Sequence, residues 1–184
     1  DVSDILELSE HLNITCRPVW DELSDTLGVS GYTEDSEMVK LTFYYKYSAG
    51  KEALLKLLRE TVFHELNHAA RFGAVEYSEY MLGAVVSEGL ATVFERDYAD
   101  SRPAYGDYEG EPVDEWFREL DQPDMRNYHD YFFWHNDGRH WIAYKTGAWI
   151  VDEAMRKSGK SLAELTVMGF REIIGLAGEG IKKS

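Results

Sequence analysis

The chain has 184 residues, of which 44% are hydrophobic and 14% aromatic, so one core can form without disulfide or metal staples. Asp and Glu number 34 against 19 Lys and Arg, a formal net charge of -15 that repels phosphate backbones and anionic lipid and argues against nucleic acid as a partner. Cys16 is the only cysteine and no run of 18 apolar residues occurs, which excludes an internal disulfide framework and a membrane-spanning helix. These features leave the compartment open, with the cytoplasm slightly favoured, and say nothing of oligomeric state.

Residues 12–20 (LNITCRPVW) read as a short strand that Pro18 confines to a sheet edge or to its own end. The stretch 27–33 (LGVSGYT) reads as a glycine-rich turn. Over 38–47, Val39, Leu41, Phe43, Tyr45 and Tyr47 alternate with Lys40, Thr42, Tyr44 and Lys46, the period of a half-buried strand. After Gly50 the period becomes helical, with Leu54, Leu55, Leu58, Val62, Leu66 and Ala69 at spacings of three and four, which predicts a helix over 51–72 closed by Gly73. Ser78 is placed to cap a second helix reaching about Tyr98, with Leu82, Val86, Leu90 and Val93 buried.

Residues 99–113 carry the Pro, Gly and acidic content of an exposed loop at the border of a cleft. Asp114 is the expected N-cap of a short helix over 115–120, and a further helix is expected over 125–134. Gly138 marks a turn, a helix over 139–157 follows and stops at Gly159, and Ser161 with Glu164 forms a capping box for a last helical stretch. The expected fold is α+β: one mainly helical, zincin-like domain over residues 1–184, with a small N-terminal sheet ahead of the 51–72 helix.

That helix contains His64-Glu65-Leu66-Asn67-His68, the HExxH pattern. On a helix, residues four apart share a face, so two imidazoles can hold one ion, while Glu65 can reach a water there without taking a ligand position. Shuffling this composition would produce the pattern by accident in roughly 2% of cases. The independent helical periodicity and the lack of a thiolate-rich ligand set favour an open zinc site over coincidence or a closed structural one. A third ligand is expected from the next helix, where Glu88 lies among small neighbours, Gly89 and Ala91, that permit close helix packing; Glu79 and Glu95 are the alternatives.

HELNH at 64–68 followed by SEGLATVFE at 87–95 resembles the gluzincin arrangement of thermolysin and aminopeptidase N. A closer resemblance is to the predicted zinc-dependent proteases of YjaZ type, through HELNHAAR at 64–71, SEGLA at 87–91, Gly28-x-x-Gly31-Tyr32-Thr33, and Ala143-Tyr144-Lys145-Thr146-Gly147. The resemblance implies one zinc ion on His64, His68 and Glu88, Glu65 as general base, and a peptide or protein substrate hydrolysed by metal-activated water. Some gluzincins place a histidine-orienting Asp four residues after the third ligand; Thr92 stands there, so the group behind the histidines is not identified.

An oxyanion donor is also expected, Tyr144 first and His140 second, both on one face of the 139–157 helix. Arg139 is either a receptor for a substrate carboxylate or a helix-start charge. The 38–47 strand is either a plain core strand or, as in gluzincins, an edge that pairs with extended substrate. A non-proteolytic zinc protein that binds peptides, chaperone-like, is the competing function. A di-iron carboxylate protein would need a second Glu-x-x-His, and the sequence has none.

Overall fold

The computed structural model describes residues 1–20, 28–44, 49–76, 78–122 and 125–178; Tyr45, Lys46 and Tyr47 of the expected strand and Leu27 of the expected turn fall outside them. The fold is α+β, with three strands, β1 (Asn13–Val19), β2 (Val29–Asp35) and β3 (Met38–Tyr44), ahead of seven helices among the described residues. The helices are α1 (Lys51–Ala74), α2 (Met81–Ala99), α3 (Val113–Leu120), α4 (Tyr128–Phe132), α5 (Ile142–Ser158), α6 (Leu162–Thr166) and α7 (Phe170–Ala177). No described helix is long and apolar enough to cross a membrane. The backbone gathers into two compact units: Asp1–Gly73 with Phe94–Ser101, and Ala74–Val93 with the chain from Arg102 onward. Helix α2 is continuous through both.

In the first unit the sheet order is β1-β3-β2, with β1 parallel and β2 antiparallel to β3. Pro18 sits near the end of an edge strand, where its missing N–H costs least. The alternation in β3 turns Val39 and Leu41, 1% and 3% exposed, onto α1, where they join Ala69, Leu58 and Val62 in one core. Because β3 is paired on both sides it is a core strand and not a substrate-pairing edge; β2 is an edge instead.

Residues 29–33, expected to turn, are strand. Here Gly31 is no punctuation mark but an inward-facing position whose missing side chain makes room for another residue, described below. Helix α1 runs past Gly73 to Ala74, and eight consecutive residues from His64 to Arg71 are buried. Leu55, on the expected buried stripe, is 52% exposed. The last turns of α2 close the unit: Phe94 stacks on Phe63 at 5.8 Å, and Arg59 lies over Phe63 while donating to the Tyr98 carbonyl at 3.0 Å.

In the second unit Ser78 accepts from the Tyr80 N–H at 3.2 Å, which caps a turn before α2 starts at Met81. Burial of α2 extends beyond one stripe, since Met81, Val85, Val86, Leu90, Ala91 and Val93 are all at 0% exposure. Helix α5 packs on it backbone to backbone. A Cβ on Gly89 would lie 2.3 Å from the Gly147 carbonyl carbon, and one on Gly147 would lie 2.2 Å from the Val85 oxygen, so only glycines allow this approach.

Helix α5 begins at Ile142, three residues later than expected. Trp134 and His140 pair in a small antiparallel bridge around Gly138, and Trp141 then takes a left-handed φ of 55° before the helix can start. The N-cap of α3 is Pro112 and not Asp114, which occupies the first turn, and α4 is shorter than the expected 125–134 helix. Gly159 caps α5 at φ 70°, and the Ser161–Glu164 capping box is present. The acidic loop before α3 is tied down: Glu111 pairs with Lys145, and Tyr108 donates to Asp152 at 2.8 Å.

Candidate metal centre

His64 and His68 stand one helical turn apart on α1, 9% and 8% exposed, with ring centroids 5.0 Å apart. The period of the helix alone puts them on one face. His64 Nδ1 lies 3.1 Å from Glu95 Oε2, and the other oxygen of that carboxylate, Oε1, accepts the Ser101 hydroxyl at 2.8 Å. Glu95 and Ser101 are 2% and 3% exposed. An ionised carboxylate can only accept, so Nδ1 carries the proton and Nε2 presents its lone pair on the opposite side of the ring, the tautomer a metal ligand needs.

Glu88 precedes Glu95 by seven residues on the same continuous helix, two turns along nearly the same face. Ligand atoms of His64, His68 and Glu88 all lie within 4.8 Å of one another. A tetrahedral zinc with ligands at about 2.0 to 2.2 Å separates their donor atoms by roughly 3.4 Å. Two imidazoles and one carboxylate, with no thiolate, are the donor set of a catalytic zinc site, which keeps one position open. The residues fit the ion.

Glu65 is directed at the sheet. Its carboxylate Oε2 accepts the Thr33 hydroxyl at 2.6 Å, and its backbone carbonyl lies 3.0 Å from the same hydroxyl. Gly31 forms the floor: a Cβ there would lie 2.3 Å from Glu65 Cγ and 2.5 Å from Oε1. Three residues past His68, Arg71 is 7% exposed, and burial pushes its guanidinium down to about 10 from its ordinary 12.5.

Of the expected site residues, the ligand atoms of His64, His68 and Glu88 lie close enough to hold an ion, and Glu65 is buried on the same helix as the histidines with its carboxylate on β2. Tyr144 lies on α5, its ring 5.1 Å from Tyr105 and edge-on to Phe132 at 5.5 Å. His140 shares no helix face with it, because it precedes α5 and packs its ring on Trp134. Arg139 is committed within the protein: it donates to both carboxylate oxygens of Glu119 at 3.0 and 2.9 Å and to Asp137 at 2.8 Å, so it is not a receptor awaiting a substrate carboxylate. Glu79 is exposed.

Glu95, weighed as an alternative ligand, lies outside the His64–His68–Glu88 group and faces His64 Nδ1. Thr92, the position of the orienting Asp in some gluzincins, packs its methyl against Gly106. Thr33, Gly31 and Ser101 were not legible as site residues.

A model of the family described as Predicted Zn-dependent protease (DUF2268) matches residues 21–175. No curated protein and no solved structure matches the chain.

Proposed function

The chain belongs to this family of predicted Zn-dependent proteases, and on that premise we propose that it is a zinc metallopeptidase of gluzincin type, with one ion on His64, His68 and Glu88 and with Glu65 as general base. The observation that carries the reading is the three-residue donor group, within 4.8 Å, next to a buried carboxylate that belongs to no part of that group. Zinc held there supplies Lewis-acid polarisation of a carbonyl and lowers the pKa of water from about 15.7 towards about 7.

The chain's own residues do the rest. Glu65 takes the proton of the attacking water as the oxygen adds to the peptide carbonyl carbon, and then hands that proton to the amide nitrogen as the C–N bond breaks. Glu95 holds His64 in its ligating tautomer throughout. Tyr144 is our candidate donor to the developing oxyanion, a role worth ~100- to 1,000-fold in rate when one such donor is removed. Substrate backbone in extended form would pair with β2, the strand that carries Gly31 and Thr33 beside Glu65, along the edge it leaves unpaired among the described residues.

The test is turnover of a peptide library by chelator-stripped protein with and without stoichiometric zinc. Cleavage that appears on zinc addition and vanishes on chelation supports the reading. Zinc binding with no cleavage of any library member rejects the peptidase and favours the peptide-binding alternative.

A further inference from the structure

We propose that the Gly31-Tyr32-Thr33 segment of β2 is a seat for the general base, with Thr33 as the residue that positions the Glu65 carboxylate. The inference rests on the reading of Glu65 as base, and it assigns a role to a motif that the metal site itself does not use.

The geometry is specific to the two side chains. Helix α1 fixes only the Glu65 backbone; a glutamate has three side-chain torsions, and its carboxylate could sweep a wide arc from there. Two contacts from β2 remove that freedom. The Thr33 hydroxyl meets Oε2 at 2.6 Å, a length typical of an O–H···O⁻ bond. Thr33 is itself 7% exposed, so water does not compete freely for the bond, and its β-branched side chain is stiff at χ1.

Gly31 is the second contact. Strand alternation points position 31 to the same face as Thr33, and the space where a Cβ would stand is filled by Glu65 Cγ, Cδ and Oε1. Its φ is not in the left-handed region, so backbone conformation does not demand glycine there. The room the glycine leaves is taken by Glu65. Tyr32 between them points to the opposite face and is 63% exposed, which leaves it outside the seat.

The contacts also separate the two oxygens. Thr33 engages Oε2 and Gly31 lies against Oε1, and in this proposal Oε1 is the oxygen that takes the proton from water. Backbone ladder bonds hold β2 to β3 in register, Gly31 opposite Leu41 and Thr33 opposite Val39, so the seat is carried by the sheet and not by a loop. A base set this way loses little entropy at the moment of reaction, and misplacement of a reacting group by about 1 Å can cost ~100-fold in rate.

The experiment compares wild type, Thr33→Val, Thr33→Ser and Gly31→Ala as zinc-loaded full-length chains, reading kcat, KM, zinc affinity and the crystallographic position of Glu65. Valine keeps the shape of threonine without the hydroxyl; serine keeps the hydroxyl. The expected result is a roughly 10- to 100-fold lower kcat for Thr33→Val with KM and zinc affinity near wild type. Thr33→Ser should restore most of kcat, and Glu65 should be displaced in crystals of Thr33→Val and Gly31→Ala. A Thr33→Val protein with wild-type kcat, or with Glu65 where wild type has it, overturns the proposal. So does a loss that Thr33→Ser fails to rescue. The crystallographic readout separates this failure from that of the underlying reading, because Glu65→Gln with undiminished turnover would dismiss Glu65 as base whatever Thr33 does to its position.

Discussion

His64 Nδ1 and Glu95 Oε2 lie 3.1 Å apart, and Ser101 holds the other Glu95 oxygen at 2.8 Å. Glu95 sits seven residues beyond Glu88, so one helix carries both a proposed ligand and the carboxylate that faces His64, another proposed ligand. The pairing of an almost fully buried carboxylate with a histidine makes the site's preorganisation depend on α2 as much as on the histidine helix.

Removal of the Glu95 carboxylate is therefore expected to weaken zinc binding without abolishing it. Glu95→Ala should lower zinc affinity by about 10- to 100-fold, the usual effect of losing a group behind a ligand. Glu88→Ala, which deletes a proposed ligand, should lower it further. Competition titration against a chromophoric chelator measures both. Equal affinity in Glu95→Ala and wild type would show that the contact does not organise His64.

The glycine contact between α2 and α5 predicts a steric effect that opposes propensity. Alanine in place of helical glycine normally gains about 1 kcal/mol. At Gly89 or Gly147 the added Cβ would meet backbone atoms at 2.2 to 2.3 Å, and backbone cannot swing aside as a side chain can. Overpacking costs of about 1 to 3 kcal/mol or more should outweigh the gain, so Gly89→Ala and Gly147→Ala should each lower the denaturation midpoint. A raised midpoint would contradict the packing described.

A smaller prediction concerns acid. Hydrogen bonds from Arg156 above all, and also from Lys157, hold the Glu153 carboxyl at about 2 against an ordinary 4.5. With the folded pKa depressed, the unfolded chain binds more protons in between, so this pair's stabilisation is complete above about pH 4.5 and is lost as pH falls towards 2. Because Arg156 is 63% exposed, solvent screening limits the pair to under about 1 kcal/mol. Urea unfolding from pH 7 down to pH 3 should show wild type more stable than Glu153→Gln at pH 7, by under about 1 kcal/mol, with the gap closing as pH falls.

The sequence made legible what depends on period. Helix α1 could be read from Leu58, Val62, Leu66 and Ala69, and the two histidines followed because a helix fixes which residues share a face. The alternation of Val39 and Leu41 in β3 was readable for the same reason. What escaped depends on contacts between distant segments. Gly31 looked like a turn residue because glycine in isolation is read through its backbone freedom, whereas its cause is the volume of Glu65, 34 positions later in the chain. The late start of α5 escaped for a local reason: Trp134 bridges to His140 around Gly138, and this removes His140 from the face it was expected to share with Tyr144. Glu95 was visible as an acid in an apolar helix, but only the fold shows that it meets His64.

The most direct test of the account compares peptide hydrolysis by wild type and Glu65→Gln at equal, measured zinc content. Glu65 lies outside the proposed ligand set, so the variant should keep the zinc content of wild type while turnover falls by about 100- to 10,000-fold, the range for loss of a positioned general base. Undiminished hydrolysis in the zinc-loaded variant would contradict the assignment of this site as a Glu65-dependent peptidase.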